Sequence, residues 1–389
     1  MPESYDEREQ AFIKHTLLEN YLQKLFLILG AGSQGRSIEL CYVDCFAGPW
    51  GDASEGMDGT SIAVSLRTLD SCRKGLEVIG VKVKFRALFI EKEDRAFARL
   101  EAYLKRATPP GIESDCRHGD FVALRSEILA WAGSRSFVFF FVDPKGWKDV
   151  GIEKLRMLLQ RPRSEMLINF MYNNVNRTMS ISAWQSEMIE LVGEKISLDG
   201  MQPSQREDRI LSTYRRNLKR CVPSNQKFPA RSAYVRIMHR TQDRTWYHLV
   251  YLTSHPRGVI EFMKISESVD LVQKQVRAGN KEAERQDRTG MSDMFPGESI
   301  DETNAGRASQ EDVDEYWRTY LQRGARRIGQ SEFATILEET NWFESDLQSA
   351  LARLIKAGAL RNLDSDDKRP KRPLHYDVKT GERLELVVV

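Results

Sequence analysis

The sequence predicts an α/β fold, in which a mainly parallel β-sheet carries helices on both faces and is followed by a winged-helix-like domain. Short apolar segments alternate with amphipathic helical segments between residues 38 and 171. The strongest of these segments are apolar at nearly every position, as is typical of strands buried on both faces of a parallel sheet. The C-terminal part, residues 311–389, instead predicts three helices and then a hairpin.

The first part of the chain shows a regular alternation of predicted elements. Residues 5–29 carry apolar side chains near a 3.6-residue period, which indicates a long helix. The strand candidates are residues 39–46, 87–90, a weak third strand closing at 118–120, 137–142 and 165–171. The helix candidates between them are residues 60–69, 93–105, 121–132 and 153–160. This alternation predicts βαβ units.

The chain is expected to form several parts, because 389 residues exceed the size at which one core usually keeps growing. An N-terminal helical segment spans residues 1–37, and the α/β domain spans residues 38–272 with a helical insertion at about 172–222. The polar and charged stretch 273–310 is predicted to be a linker or mobile loop. The winged-helix-like domain occupies residues 311–389.

Two hairpins are predicted in the second half of the chain. Strand candidates 233–239 and 246–253 would add antiparallel strands to the main sheet. Strand candidates 360–363 and 374–378 flank the charged tip 364–373. The helix candidates before that second hairpin are residues 311–322, 330–339 and 344–357.

The composition is ordinary for a globular protein, with 41% apolar and 29% charged residues. A net charge of +2 gives no global argument for nucleic acid, a membrane or an acidic substrate. The longest apolar run, residues 137–142, is too short to cross a bilayer, and residues 1–10 lack the order of a signal peptide. The five cysteines show neither CxxC nor zinc spacing, so we expect free thiols, no metal and a cytoplasmic location.

Acidic residues stand at the carboxyl ends of the first four predicted strands: Asp44, Glu91, Asp120 and Asp143. Ligands of open α/β sheets bind in the crevice outside these strand ends. Asp44 leads into a turn with Gly48, where the backbone can approach a ligand closely. The spacing is not GxGxxG, and no Gly-Lys-Ser/Thr follows. A carboxylate after the second strand can accept from ribose hydroxyls, and one after the third from an adenine amino group.

Two turns resemble motifs of S-adenosylmethionine (SAM)-dependent nucleic-acid methyltransferases. The sequence DCFAG at residues 44–48 resembles their motif I, and DPKGW at residues 143–147 resembles a variant of their DPP(Y/F/W) motif. More closely, residues 15–260 are similar to the three-Cys-motif partner (TcmP) family, through YVDCFAGPWG, GTSIAV, FIEKEDRAFARL, GDF, FVDPKGW and LINFMYNN in this order. The winged-helix-like tail resembles the C-terminal region of that family more loosely.

The resemblance implies a Rossmann-like methyltransferase domain with SAM as cofactor. It implies these SAM-binding residues: Asp44, Phe46, Ala47 and Gly48 for the methionine end, Glu91 for the ribose and Asp120 for the adenine. It also implies a catalytic turn that faces the methyl acceptor: Asp143, Pro144, Lys145 and Trp147. The chain departs from the motif at Lys145 and Gly146, where a second proline and an aromatic residue would stand, so Trp147 is the aromatic side chain left to stack. No Pro-Cys pair occurs at this turn, which argues against covalent attack by a cysteine.

Several polar residues have two interpretations each. Lys145 either acts on a ligand, by steering a phosphate or lowering the charge of an acceptor, or is an exposed loop lysine. The polar cluster after the fifth strand either lines an acceptor pocket or is ordinary turn material: Asn169, Tyr172, Asn173, Asn174 and Asn176. The basic residues of the tail either contact nucleic acid or belong to a protein-docking module: Arg353, Lys356, Lys368, Arg369, Lys371 and Arg372.

Three functions fit these observations. The first is a SAM-dependent methyltransferase that acts on nucleic acid, DNA or RNA, or a related polymer. The second is a partner or scaffold that works with the radical-SAM-like three-Cys-motif protein implied by the family. The third is a nucleic-acid-binding defence component without methyl transfer. No clean pair of metal-binding carboxylates with a catalytic lysine is evident, which weighs against a nuclease.

Overall fold

Within the described residues, seven strands form the main sheet. The structure is a computed structural model that describes residues 2, 5, 8–33, 35–48, 57–179, 181–289, 308–365, 372–377 and 380–387. The strands are β1 (Ile38–Asp44), β2 (Val83–Glu91), β3 (Ile112–His118), β4 (Phe137–Val142), β5 (Ser164–Phe170), β6 (Arg231–Met238) and β7 (Thr245–Thr253). Their spatial order is β3-β2-β1-β4-β5-β7-β6, with β1 to β5 parallel and β7 antiparallel to both of its neighbours.

This sheet confirms the predicted Rossmann-like methyltransferase fold. The order reverses between β1 and β4, as it does at the switch point of a doubly wound sheet. The predicted hairpin is present as β6 and β7, and β7 inserts between β5 and β6. The helices of this part are α1 (Glu9–Ala31), α2 (Ser61–Val78), α3 (Asp94–Ala107), α4 (Phe121–Ala132), α5 (Ile152–Leu159), α6 (Tyr172–Thr178), α7 (Gln185–Val192), α8 (Pro203–Cys221) and α9 (Pro256–Thr289).

Strand β4 shows how the sheet separates two apolar cores. All six of its residues are buried, and successive strand side chains point to opposite faces. Phe139 and Phe141 join the core formed with α1, α2, α3 and α9. Val138 and Phe140 join the core formed with α4, α5, α7 and α8. The continuous apolar pattern of this strand therefore follows from helices on both faces.

Helix α1 is part of the α/β domain. Its residues Leu17, Leu18 and Leu22 are fully buried, and the helix packs against α2 and α9. The tyrosine Tyr21 donates to the buried carboxylate of Glu165 in β5 at 2.9 Å. The N-terminal helical segment expected from the sequence therefore completes one face of the main sheet.

The predicted linker is wrong for residues 273–289, because α9 continues to Thr289. The polar side chains of this stretch bind the backbone of the edge strand β6 and the turn after it. The amide of Gln273 donates to the carbonyl of Arg236 at 3.2 Å and accepts from the N–H of Met238 at 2.8 Å. Arg277 donates to the carbonyl of His239 at 2.9 Å. Residues 290–307 of the predicted linker lie outside the described residues.

The C-terminal part contains the three predicted helices, α10 (Gln310–Leu321), α11 (Gln330–Thr340) and α12 (Glu344–Lys356). Among the described residues, its strands β8 (Arg326–Ile328), β9 (Leu360–Asn362) and β10 (Glu382–Leu386) form an antiparallel sheet in the order β8-β10-β9. The predicted strand at residues 374–378 is wrong for residues 374–377, since β9 pairs with β10 instead, and residue 378 lies outside the described residues. Tyr376 belongs instead to the apolar core of this part, where its ring stacks on that of Phe333 with 4.0 Å between the ring centroids.

The C-terminal part contacts β6 through the buried Arg231, which donates to the hydroxyl of Thr335 at 2.8 Å. Within the described ranges, no helix has the length and apolarity that a bilayer span requires.

Candidate functional site

The carboxyl ends of β1 to β4 surround a cavity of about 510 Å³. It lies where the strand order reverses between β1 and β4, which is the position at which open α/β sheets bind ligands. Its volume is in the range of pockets that hold small molecules and cofactors. Five of the predicted SAM-binding and catalytic residues line it: Phe46, Glu91, Pro144, Lys145 and Trp147.

Glu91 supplies a buried carboxylate to this cavity. It is the last residue of β2, and only 3% of its surface is exposed. Its Oε1 accepts from the backbone N–H of Glu93 at 2.7 Å, which fixes the turn into α3. In the described part of the chain, Oε2 has no hydrogen-bond donor. A buried acceptor of this kind suits a ligand that brings hydroxyl donors, such as a ribose.

Aromatic side chains form two walls of the cavity. Phe46 follows β1 and Phe121 begins α4, and their ring centroids lie 5.2 Å apart. On the other side, Trp147 packs edge-on against Trp184, with 6.0 Å between ring centroids. The ammonium of Lys148 lies 4.3 Å from the ring centroid of Trp184. Apolar walls around a few polar groups are typical of sites that bind a flat heterocycle.

Asp44 lies beneath the cavity and does not line it. Its carboxylate is fully buried and accepts from the hydroxyl of Ser61 at 2.6 Å and the N–H of Phe46 at 3.1 Å. Burial raises the pKa of Asp44 to about 6, and the hydrogen bond from Ser61 partly opposes that rise. Asp44 therefore ties the turn after β1 to the first residue of α2.

The glycine-containing turn after Asp44 is described only in part. Ala47 is buried and donates its N–H to the carbonyl of Ile90 at 2.7 Å, so the turns after β1 and β2 are joined. Gly48 is buried as well. Residues 49–56 lie outside the described residues, so the predicted methionine-end contacts of this turn stay a prediction.

Asp120 acts as the N-cap of α4. Its Oδ1 accepts from the N–H groups of Val122 at 2.9 Å and Ala123 at 3.3 Å. The side chain is exposed and is not part of the cavity lining, although its neighbours Gly119 and Phe121 are. The predicted contact between Asp120 and an adenine therefore has no counterpart in the lining, and it stays a prediction.

Asp143 is held by two residues that the sequence did not suggest as its partners. Its carboxylate forms an ion pair with Lys14 of α1 and accepts from the amide of Asn169 at 2.6 Å. Both charged side chains are largely buried, at 14% exposed for Lys14 and 16% for Asp143. Tyr247 donates to the carbonyl of Gln10 at 2.7 Å, which holds the start of α1 in place. Asp143 thus faces α1, whereas Pro144, Lys145 and Trp147 face the cavity.

Asn169 is a further polar residue of this edge. Its Nδ2 donates to the carboxylate of Asp143. Because a carboxylate in an ion pair with Lys14 only accepts hydrogen bonds, the amide of Asn169 must turn its nitrogen toward Asp143, which leaves Oδ1 as the acceptor without a bond to Asp143. This Oδ1 is buried and has no hydrogen-bond partner within the ranges described. A buried acceptor without a donor is costly, so it marks a position where a donor group of a ligand or a water would be stabilised.

The asparagines that follow β5 divide between the cavity and its surroundings. Asn174 lines the cavity. Asn173 accepts from Arg244 at 2.8 Å, and Asn176 accepts from Arg206 at 3.5 Å. Of these three asparagines, Asn174 therefore lies at the cavity, whereas Asn173 and Asn176 bind arginines; the acceptor-pocket interpretation stays a prediction.

The cysteines do not supply a nucleophile to the site. All five are unpaired, and Cys45 alone among them lines the described cavity. Burial raises the pKa of the Cys45 thiol well above its usual range, so the reactive thiolate is disfavoured. No group of three His, Cys, Asp or Glu side chains with the geometry of a metal site occurs in the described ranges.

The order and directions of the strands give this chain a Rossmann-like methyltransferase fold. No protein-family model and no curated protein matches the chain. It is similar in structure to protein LPL1258 from Legionella pneumophila, of the family model DUF519, with a TM-score of 0.38 and 9% identity over 70% of this chain and 92% of that one. It is also similar to a putative O-methyltransferase from Klebsiella pneumoniae, with a TM-score of 0.29 and 10% identity over 62% of this chain and 89% of that one. The resemblance to the three-Cys-motif partner family stays a prediction.

Proposed function

We propose that this chain is a SAM-dependent methyltransferase of the three-Cys-motif partner type that acts on nucleic acid. The observation that carries the proposal is the cavity at the β1/β4 switch point, with the buried Glu91 and aromatic walls. This is the combination that binds an adenosyl group: a carboxylate for the ribose and apolar surfaces for the base.

The residues present fit SAM. Glu91 would accept from the ribose hydroxyls through Oε2, since Oε1 is already bonded to the backbone. Phe46 and Phe121 would pack against the adenine, because both rings line the cavity and lie close together. Asp44 would act indirectly, by holding the start of α2 against the turn where the methionine end is expected.

The turn after β4 is the candidate acceptor side. SAM would supply an electrophilic methyl group, so the chain has only to place a nucleophile in line with it and exclude water. Pro144 and Trp147 line the cavity beside the expected cofactor, and Trp147 offers a ring on which a base can stack. Asp143 keeps the turn in place through Lys14 and Asn169.

A second candidate function is a SAM-binding partner protein without methyl transfer. It is favoured by the ion pair between Asp143 and Lys14, because this carboxylate faces a helix and not the cavity. In that case the chain would bind the cofactor and work with a radical-SAM-like three-Cys-motif protein.

Two measurements test these functions. Titration calorimetry of the full chain with SAM is expected to show one site, and failure to bind SAM or S-adenosylhomocysteine would contradict both. Transfer of labelled methyl groups from SAM to RNA, DNA or co-expressed protein separates the two candidates. We expect Asp143→Ala to retain SAM binding and to lose transfer, because it removes the anchor of the β4 turn on the acceptor side and leaves the proposed cofactor contacts at Glu91 and Phe46 in place. Turnover at the wild-type rate would contradict this acceptor side.

A further inference from the structure

Helix α6 connects the cavity to two arginines on the same edge of the sheet. Asn174 of this helix lines the cavity, while Asn173 binds Arg244 and Asn176 binds Arg206. The strand directions explain this contact. Because β7 is antiparallel to β5 and pairs with β6, the turn between β6 and β7 lies at the edge where β4 and β5 end. The loops after β4, β5 and β6 therefore form one continuous surface.

This surface, which we call the basic edge, carries six cationic side chains: Lys145, Lys148, Arg177, Arg206, Arg240 and Arg244. Two of them, Arg206 and Arg244, donate to the asparagines of α6. Lys148, Arg177 and Arg240 are exposed, and none of the three forms an ion pair with another described residue. These three cations are therefore available to a ligand.

Two acidic residues beside the basic edge are already paired, whereas Glu187 near Lys148 and Asp208 on α8 form no ion pair with another described residue. Asp243 binds Arg277 at 2.6 Å, and Asp149 binds Lys154 at 3.3 Å. The basic edge therefore presents a local excess of positive charge, although the net charge of the whole chain is only +2.

Aromatic rings alternate with these cations. The ammonium of Lys148 lies 4.3 Å from the ring centroid of Trp184, and the guanidinium of Arg244 lies 5.5 Å from that of Trp246. Both tryptophans are half-buried, and Trp184 contacts Trp147 at the cavity. Cations that track a phosphate backbone, interleaved with rings on which bases stack, are typical of surfaces that bind single-stranded nucleic acid.

The tail is a weaker candidate for phosphate contacts than the sequence suggests. Arg353 is paired with Asp314 at 2.7 Å, and Arg372 is paired with Glu344. These internal ion pairs engage two of the six basic residues that the sequence left open to nucleic acid or to protein docking, and Lys356 is exposed without an ion pair to another described residue. Lys368, Arg369 and Lys371 lie outside the described residues.

We propose that the basic edge binds the phosphates of a single-stranded nucleic acid and leads one of its bases to the cavity. The inference rests on the proposed function, because the cavity is taken to hold the methyl donor. Each cation that neutralises a phosphate releases counterions, so binding along this edge must weaken steeply with salt. The partner is a polynucleotide and not an acidic peptide, since the rings at Trp147 and Trp184 offer stacking surfaces that carboxylates do not use.

The test is fluorescence anisotropy of the full chain with labelled single-stranded RNA and DNA of mixed sequence, measured over a range of salt concentrations. The double variant Arg177→Ala/Arg240→Ala is expected to weaken binding and to reduce the salt slope by about 1.4, at roughly 0.7 for each lost cation on a single strand. The matched control Lys82→Ala/Arg135→Ala removes two exposed cations at the opposite edge, where β2 and β4 begin, and is expected to leave the slope unchanged. Arg353→Ala/Lys356→Ala, in the tail, is also expected to leave it unchanged.

Four results would overturn the proposal: a wild-type slope in the Arg177→Ala/Arg240→Ala variant, a larger loss in the tail variant, absence of oligonucleotide binding, or equally tight binding of polyglutamate. Calorimetry with SAM on the same samples separates this proposal from the proposed function. Absence of oligonucleotide binding by the wild-type chain, with intact SAM binding, contradicts the basic edge alone. Absence of SAM binding with a salt slope that depends on Arg177 and Arg240 contradicts the cofactor site and supports the edge as a nucleic-acid surface.

Discussion

The ribose contact assigned to Glu91 gives the sharpest prediction. Glu91→Gln keeps the size of the side chain and a carbonyl oxygen for the N–H of Glu93, but it removes the charge and turns the other oxygen into a donor. Hydrogen bonds to a charged acceptor contribute about 1.5–3 kcal/mol each. Losing the charged acceptor for two ribose hydroxyls is therefore expected to cost about 3 kcal/mol of binding free energy, which weakens the Kd on the order of 100-fold.

The assay is titration calorimetry with S-adenosylhomocysteine, which binds like the cofactor but cannot donate a methyl group. Glu93→Ala is the matched control, because Glu93 caps α3 by accepting from the N–H of Ala96 at 2.7 Å and does not line the cavity. The control is expected to lose about 1 kcal/mol of unfolding free energy and to change the Kd by about 2-fold at most. A folded Glu91→Gln variant with wild-type affinity would refute the assignment of the ribose site.

Three further predictions concern Asp44, Lys14 and Trp147. Burial raises the pKa of Asp44 from 3.8 to about 6, so the folded state holds this proton more tightly than the unfolded state does. The contribution of Asp44 to the free energy of unfolding is therefore most favourable below pH about 4 and is lost as the pH rises through about 6. In urea unfolding, Asp44→Asn should remove about 3 kcal/mol of this pH dependence. An unchanged pH profile of the unfolding free energy would count against the raised pKa of Asp44. Lys14→Ala leaves Asp143 without its ion-pair partner and is expected to lower the unfolding free energy by about 1–3 kcal/mol, between the values for exposed and fully buried pairs. A double-mutant cycle of Lys14→Ala with Asp143→Asn that shows no coupling energy would contradict this expectation. Trp147→Ala should lower the unfolding free energy by about 3 kcal/mol and impair methyl transfer, whereas Trp147→Phe should retain most of both; equal transfer by the two variants would argue against stacking at this position.

The sheet could be predicted from the sequence because its strands are buried on both faces. The run of apolar residues in β4 leaves little alternative to a central strand, and acidic residues at the ends of successive strands mark the edge where a ligand would bind. Glu91 ends β2 and lines the cavity, whereas the other three acidic residues of this pattern, Asp44, Asp120 and Asp143, do not line it. These features depend on local patterns, which a single sequence displays directly.

Contacts between distant segments could not be predicted in the same way. Lys14 and Asp143 are separated by 129 positions, and nothing in either local pattern indicates that they pair. The end of α9 was missed because Gln273 and Arg277 look like linker residues, although their side chains bind the backbone of the edge strand and its turn. Similarly, β9 pairs with β10, which lies about twenty positions further along the chain than β9. The apolar residues Leu374 and Tyr376 predict a strand, but they are buried without forming one.

The proposed function requires that the cavity at the β1/β4 switch point hold an adenosyl cofactor. The most direct test is a crystal structure of the full chain with S-adenosylhomocysteine. The ribose hydroxyls are expected within hydrogen-bonding distance of the Glu91 carboxylate, with the adenine between the loops that carry Phe46 and Phe121. Ligand density at any other place, or a cavity that stays empty at saturating ligand, would contradict the proposed function.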